Sequence, residues 1–269
     1  MIRIATAIAL AVCLTACAKE ESQESKQDSA KVEQAAKVTA SQAANRTNAE
    51  KLTLDTLLKK HFAALGGEKK LRTAQTLMYG GKKYYDGKSV EITKYIKRGN
   101  KLRVEKRHGD EVSIMAFNGK KAWKKKGDKV KALPEKELSH LEYESSIDDA
   151  LLVYRDKGYK VRLIGKAEVK GSPAYHVELI VPERMTENRF IDAASYFEVK
   201  RVVAWKDKEN KMKKVTVYFS EYRDIGDGMM INHRVDWKNE KGKGKFIIEK
   251  AAYNQPMNDS LFELGGRIM

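Results

Sequence analysis

Two cysteines, five histidines and two pairs of adjacent hydroxyl and carboxylate residues are the groups in this chain that could carry covalent, metal or acid–base chemistry. Cys13 and Cys17 both lie near the start, and no cysteine follows. A disulfide, a thiolate metal site or a thiol nucleophile is therefore not expected in the rest of the chain. His61, His108, His140, His176 and His233 are scattered, and none sits at i, i+4 around a helical glutamate. Each reads as a surface or packed residue rather than a metal ligand. Ser145-Ser146 and Asp148-Asp149 bring hydroxyls and carboxylates together, but without a glycine-framed elbow or a histidine motif nearby. Helix capping is the better account of them. Gly80-Gly81 is too short to cradle a phosphate and reads as a strand bulge. No catalytic residue, metal or cofactor is assigned, and the chain is not expected to be an enzyme. A hydrolase within the long β region is kept as a third reading.

The cysteine with a definite context is Cys17. Arg3 is followed by an apolar run, Ile4 to Leu14, broken only by Thr6, and the run ends in Leu14-Thr15-Ala16-Cys17. That run is too short for a membrane-spanning helix and suits the apolar region of an export signal. The Leu-Thr-Ala-Cys ending resembles the lipobox of bacterial lipoproteins. The resemblance implies that Cys17 is acylated, carries palmitate-type chains and becomes the mature N-terminus. The alternative is an ordinary cleaved signal with an incidental cysteine. Two or more acyl chains hold a protein stably at a membrane. Ala18 is not the aspartate that the same resemblance associates with inner-membrane retention, so the expected location is the outer membrane, facing the periplasm.

Composition then divides the chain. From Ala18 to Glu50 there is no aromatic residue, no glycine and no proline. Such a stretch cannot bury enough surface to offset its ordering entropy. It reads as a flexible linker, reaching about 30 Å on average. The expected organisation is a signal peptide over 1–17, a linker over 18–50 and one domain over 51–269. The net charge of +16 belongs to that last part, because the +1 of the leader and the −1 of the linker cancel.

Within the domain, the elements follow from periodicity. Leu54, Leu57, Leu58, Phe62 and Leu65 share one face of a helix over Thr53–Leu65, with Thr53 as N-cap, Asp55 in the first turn and Gly66-Gly67 as the stop. Glu68–Thr73 adds a short helical turn. From Leu77 the period becomes two. Strands are expected over Thr76–Tyr85, Val90–Lys97, Lys101–Arg107 and Glu111–Phe117, separated by Asp86-Gly87, Gly99-Asn100 and Gly109-Asp110 turns. Phe117-Asn118-Gly119 to Trp123 is an expected hairpin. Pro134–Tyr154 is expected to be helical. Strands resume over Lys160–Glu168, Ala174–Val181, Arg189–Ile191, Lys200–Lys206, Lys213–Tyr222, Met230–Lys238 and Lys245–Tyr253. This order argues for an α+β chain built on a large antiparallel sheet with few helices on one face.

Five stretches, in order, resemble the outer-membrane lipoprotein-sorting superfamily, the LolA/LolB-like carriers. They are Leu57–Leu71 with its Leu65-Gly66-Gly67-Glu68 close; the Phe117-Asn118-Gly119…Trp123 hairpin; Leu151–Tyr159 running into Leu163-Ile164-Gly165-Lys166 and Gly171–Tyr175; Tyr218–Arg223 with Met230–Arg234; and Asn258–Glu263. The resemblance implies a curved, incompletely closed β-barrel, a half-barrel, with helices covering its concave face. It further implies an apolar cavity that takes acyl chains of lipoproteins or phospholipids for sorting or transfer. A sensor or interaction lipoprotein without cargo transfer is the alternative. No protruding loop and no acyl-gating arginine can be carried over to this sequence.

The alternating faces nominate residues. Leu102, Val104, Ile114, Val177, Leu179, Val217 and Phe219 are candidate cavity lining, or equally an ordinary filled core. Lys120, Lys121, Lys124, Lys125 and Lys126 around Trp123 are candidate contacts for anionic head groups, or equally a solvated rim. Basic residues interleaved with aromatics can bind nucleic acid, but an exported chain does not meet that partner, and none is expected.

Overall fold

The computed structural model describes residues 52–264 except Lys208. The expected signal peptide, Cys17 and the linker lie outside the described residues.

Helix α1, Leu54–Ala64, forms where the apolar stripe predicts it. Thr53 Oγ1 accepts a hydrogen bond from the Thr56 N–H at 3.2 Å, and Asp55 sits in the first turn. At its end the Gly67 N–H reaches the Phe62 carbonyl at 2.9 Å and the Gly66 N–H reaches that of Ala63 at 3.1 Å. This closing pattern needs a left-handed residue, supplied by Gly66 at φ +114°. A Cβ there would stand 2.7 Å from the Gly228 carbonyl oxygen. Helix α2 is Glu68–Thr73.

Thirteen strands follow, all paired antiparallel: β1 Thr76–Tyr85, β2 Lys88–Lys97, β3 Lys101–His108, β4 Glu111–Phe117, β5 Ala122–Lys126, β6 Lys129–Ala132, β7 Lys160–Val169, β8 Ser172–Val181, β9 Met185–Asp192, β10 Glu198–Lys206, β11 Met212–Asp224, β12 Met230–Asn239 and β13 Gly242–Tyr253. They make one sheet in the order β6-β5-β4-β3-β2-β1-β13-β12-β11-β10-β9-β8-β7. Two meanders therefore meet through β1 and β13, and β6 and β7 are the two edges. A glycine pair marks the seam: the β1–β13 register shifts between Gly80 and Gly81, the expected bulge. A Cβ on Gly81 would overlap the Ile247 carbonyl oxygen at 1.9 Å, so the site requires glycine.

The connection Leu133–Tyr159 joins one edge of this sheet to the other. It holds a 3-10 turn, Glu135–Glu137, and helix α3, Leu138–Ser145. Adjacent residues of α3 touch distant strands: Tyr143 bonds Glu187 on β9, and Glu144 lies 3.9 Å from Lys94 on β2. Those strands are six positions apart, about 29 Å in a flat sheet. Two neighbouring side chains can reach both only if the sheet curls around the helix. The result is a curved, unclosed barrel with helices on its concave face. Leu57, Leu58, Phe62 and Leu65 of the first helical segment, and Leu141, Tyr143, Leu151, Leu152 and Val153 of the connection, join the buried core with that face.

Three expectations need correction. The helix foreseen over Pro134–Tyr154 stops at Ser145 and gives way to turns. Asp148 is taken by Arg98 at 2.8 Å and Asp149 by Arg189 at 2.8 Å, and continued helix would not serve both. The short strand foreseen over Arg189–Ile191 extends back to Met185, its period hidden by charged residues on the buried face. Strand β6, Lys129–Ala132, is not among the expected strands: its Lys-Val-Lys-Ala alternation runs for only four residues, and all four are exposed.

Candidate functional site

Residues directly opposite in an antiparallel sheet share a face, so the register sorts the nominated residues. Leu102 pairs with Ile96 and Phe117, and Val104 with Lys94 and Met115, all on the concave side. Val177 and Leu179 pair with Arg189 and Glu187, and Val217 and Phe219 with Trp237 and Val235, on the same side. All six are buried. Ile114 departs from them. It pairs with Glu105 and Lys125, so it stands on the opposite, convex face, and Met115 takes the place it was expected to fill beside Val104. Strand β4 is apolar on both parities from Ile114 to Phe117, which is why alternation could not choose between them.

The concave face is occupied by the protein itself. Side chains of α1, α3 and the turns after α3 cover it. A partly open void of about 30 Å³ lies between Leu65, Leu71, Leu77, Ile147, Met229 and Ile231. That is on the order of one water, against roughly 300–1,000 Å³ for a ligand cavity. A larger open groove, about 740 Å³, runs along the rim past Tyr84, Tyr85, Tyr218, Trp237, Lys243 and Lys245.

What fixes the connection is a buried ionic cluster. Arg189 Nη1 donates to both carboxylate oxygens of Asp149 at 2.8 and 2.9 Å, and its Nε donates to Glu187 at 2.8 Å. Arg201 on the neighbouring strand donates to Glu198 at 2.7 and 2.6 Å. The Tyr143 hydroxyl donates to Glu187 at 2.7 Å, and the Tyr222 hydroxyl to the Glu198 carbonyl at 2.7 Å. Asp149, Glu187, Arg189, Glu198 and Arg201 are each at most 2 % exposed. Burial alone would depress the Arg189 guanidinium, but Asp149, Glu187 and Glu198 overcome it and hold Arg189 well above its ordinary value. Asp149 also accepts the Leu151 N–H at 2.7 Å, which opens a turn and not a helix, so the helix capping expected of Asp148-Asp149 is replaced by a turn beside the ion pair. Next to the cluster His61 is fully buried, with Nδ1 2.7 Å from the Tyr196 carbonyl oxygen, and burial pushes its imidazole down.

A second polar group sits nearer β2. Glu144 is 2.8 Å from His140 Nε2 and 3.9 Å from Lys94 Nζ. Burial would raise this carboxyl, and the hydrogen bond from His140 with the charge of Lys94 outweighs it and lowers it.

The nominated lysines do not form one patch. Lys120 and Lys121 are exposed at the hairpin tip, where their N–H groups bond Asn118 Oδ1 at 2.9 and 2.8 Å. Lys124 and Lys126 point to the concave side with Lys131 and Lys129, while Lys125 pairs with Ile114 on the convex side. Sequence reasoning passed over the inward cations Lys83, Lys94 and Lys106 and the ionic cluster. Their signal was parity: Glu187 and Arg189 alternate in step with Met185 and Ile191. Among the described residues no group of three His, Cys, Asp or Glu could hold a metal ion, and no helix is long and apolar enough to cross a membrane.

No family model and no curated protein sequence matches the chain. Solved structures do share its fold. An outer membrane lipoprotein-sorting protein domain from Vibrio parahaemolyticus superposes with a TM-score of 0.53 at 13% identity, over 77% of this chain and 94% of that one. A LolA superfamily protein from Nitrosomonas europaea gives 0.54 at 10% identity, over 79% and 98%. A DUF1329 family protein from Desulfovibrio piger gives 0.52 at 14% identity, over 76% and 96%. The chain shares the fold of these three solved structures.

Proposed function

We propose that this chain is a lipoprotein anchored through Cys17 to the outer membrane, facing the periplasm, which binds acyl chains of lipoproteins or lipids on its concave face for sorting or transfer. In this reading 1–17 is the signal peptide, 18–50 the tether and 51–269 the lipid-binding domain. The observation that carries it is the unclosed sheet whose apolar concave face is covered by the Leu133–Tyr159 connection rather than by a second sheet. Leu102, Val104, Val177, Leu179, Val217 and Phe219 line that face beneath it. Each methylene buried contributes about 0.8 kcal/mol, so a long chain that displaces part of the connection replaces one apolar contact set with another. Binding and release then need no bond to be made or broken. The acceptor has only to hold the chain more tightly than the donor.

This reading predicts that cargo loosens the connection. Amide hydrogen exchange over 133–159 should accelerate when a fatty acid or lipopeptide binds, while β1 and β13 at the seam stay protected. Saturable binding without any change over 133–159 would refute displacement. A second reading, an envelope sensor or interaction lipoprotein without cargo transfer, is favoured by the side chains that already fill the concave face, beside a void of only about 30 Å³. It would hold if no acyl ligand binds the folded protein and a stoichiometric protein partner does.

A further inference from the structure

The open groove of about 740 Å³ is built by four adjacent strands, and the register sets its side chains in two rows. Tyr84 on β1 pairs with Lys245 on β13, Lys245 with Asp236 on β12, and Asp236 with Tyr218 on β11. Nearer the β12–β13 turn, Lys243 pairs with Lys238. All six line the groove. They alternate along their strands with the concave-side residues Val217, Trp237 and Gly244, so they point to the convex face. The row from Tyr84 to Tyr218 crosses three strand intervals, about 14 Å.

The carboxylates at hand do not answer these lysines. Asp236 is taken by Arg234 at 2.7 and 3.0 Å, and Glu240, in the β12–β13 turn, by Lys213 at 2.7 Å. One further carboxylate, Asp86, lines the groove from the β1–β2 turn. Among the described residues, Lys238, Lys243 and Lys245 take part in no ion pair. Lys238 and Lys243 stand directly opposite each other, where like charges are destabilising. The tyrosine rings gather cations as well. Lys245 Nζ lies 5.0 Å from the ring centre of Tyr84, and Lys170 Nζ, from the β7–β8 turn, 4.4 Å from that of Tyr218. A surface evolved only for solubility intersperses both signs of charge. Here an opposed lysine pair is left beside carboxylates already in use.

We propose that this convex groove binds an acidic oligosaccharide. Charge complementarity calls for an anion with more than one negative group, to meet the Lys238–Lys243 pair and Lys245 together. Shape then selects among anions. A groove of this size falls in the range of ligand sites and admits a chain, whereas a flat bilayer surface cannot enter it. Its floor is the middle of a sheet, whose backbone N–H and C=O groups are already used in the ladder. An acidic peptide laid there would find no main-chain partners, as it would at a sheet edge. A saccharide needs only side chains: ammonium groups for its anions, and phenol hydroxyls and ring surface for its hydroxyls and C–H faces. The groove lies on the opposite face of the sheet from the acyl-binding reading, and the two stand or fall separately.

The test is calorimetric titration of the full chain with tetragalacturonate, neutral maltotetraose and hexaglutamate. Tetragalacturonate should bind saturably, at least about tenfold more tightly than the other two, and more weakly as salt is raised. Lys238→Gln combined with Lys243→Gln should weaken it at least about tenfold. Lys129→Gln combined with Lys131→Gln, on the exposed edge strand β6, removes the same charge and should leave binding unchanged. Lys238→Glu separates binding from folding: it turns a like-charge pair into an opposite-charge pair, so the thermal midpoint should rise while binding is lost. Equal weakening by the two double variants would overturn the site and leave only the diffuse charge of the chain. Hexaglutamate that binds as tightly as tetragalacturonate, and is weakened by the groove variant, would overturn the saccharide and assign the surface to an acidic peptide. Maltotetraose that binds equally would remove the lysines from recognition. No binding of any of the three, or unchanged binding by Lys238→Glu, would overturn the proposal.

Discussion

Asp149, in the connection between β6 and β7, accepts two hydrogen bonds from a single Arg189 nitrogen on β9, at 2.8 and 2.9 Å, with both residues buried. This contact ties the segment that covers the concave face to the strand beneath it. Its strength decides whether the cover is part of the core or a removable occupant.

Removing Arg189 leaves Asp149 and Glu187 with only the longer contacts to Arg201, at 4.0 and 3.8 Å. Breaking a buried ion pair from one side costs roughly 3–5 kcal/mol. Arg189→Met is expected to lose about that much in urea unfolding. Arg155→Gln should lose far less, because its pair with Asp55 is 65% and 70% exposed and solvent screens it. Equal losses in the two variants would show that the buried cluster is not what holds the connection.

The register makes a paired test of acyl uptake possible. Leu102→Asp and Val177→Asp place a carboxylate on the concave face, which must be desolvated or protonated there. Both should reduce saturable binding of a fluorescent fatty acid at least tenfold, scored only in variants with a cooperative unfolding transition. Ile114→Asp, on the convex face, should leave uptake unchanged. An effect of Ile114→Asp as large as that of Leu102→Asp would count against the concave face as the lining.

Lys83 gives the stability a defined pH dependence. Its midpoint is lowered from 10.5 to about 8, by burial first and by Lys106 second. Between those values the unfolded chain holds a proton that the folded chain has released, so this group makes stability rise with pH across that window. Below pH 8 the folded chain carries the buried charge at full cost. Lys83→Met should therefore be more stable than the parent at pH 7, by at most about 3 kcal/mol. The gain should shrink as pH rises through 8 and vanish above about 10.5. Denaturant unfolding at pH 7, 9 and 11 measures it, and a difference that does not vary with pH would contradict it.

Cys17→Ser should release the protein from membranes or leave the precursor uncut, read by fractionation and mature mass. Sucrose-gradient separation should place the parent protein with the outer membrane. Unchanged fractionation and mass in the variant would exclude the anchor.

Local physics made much of this fold legible from sequence. The α1 helix, its Thr53 cap and its Gly66-Gly67 stop depend on neighbours three to five residues away, and the structure has them where periodicity placed them. Strands Thr76–Tyr85 and Glu111–Phe117 match to the residue, since two-residue alternation and glycine turns are local signals as well. The Gly80-Gly81 bulge was legible because two glycines inside a strand have few other uses. What the tertiary structure alone decided is which residues share a face and what covers it. Ile114 and Met115 are both apolar, and only the pairing of β4 with β3 puts Met115 inward and Ile114 outward. Glu187 and Arg189 look like surface residues in the chain, yet they lie in the core because Asp149, Glu198 and Arg201 arrive from other segments to neutralise them. A charge can be buried only where its partner is, and partners from distant strands meet only once the sheet has curled around α3.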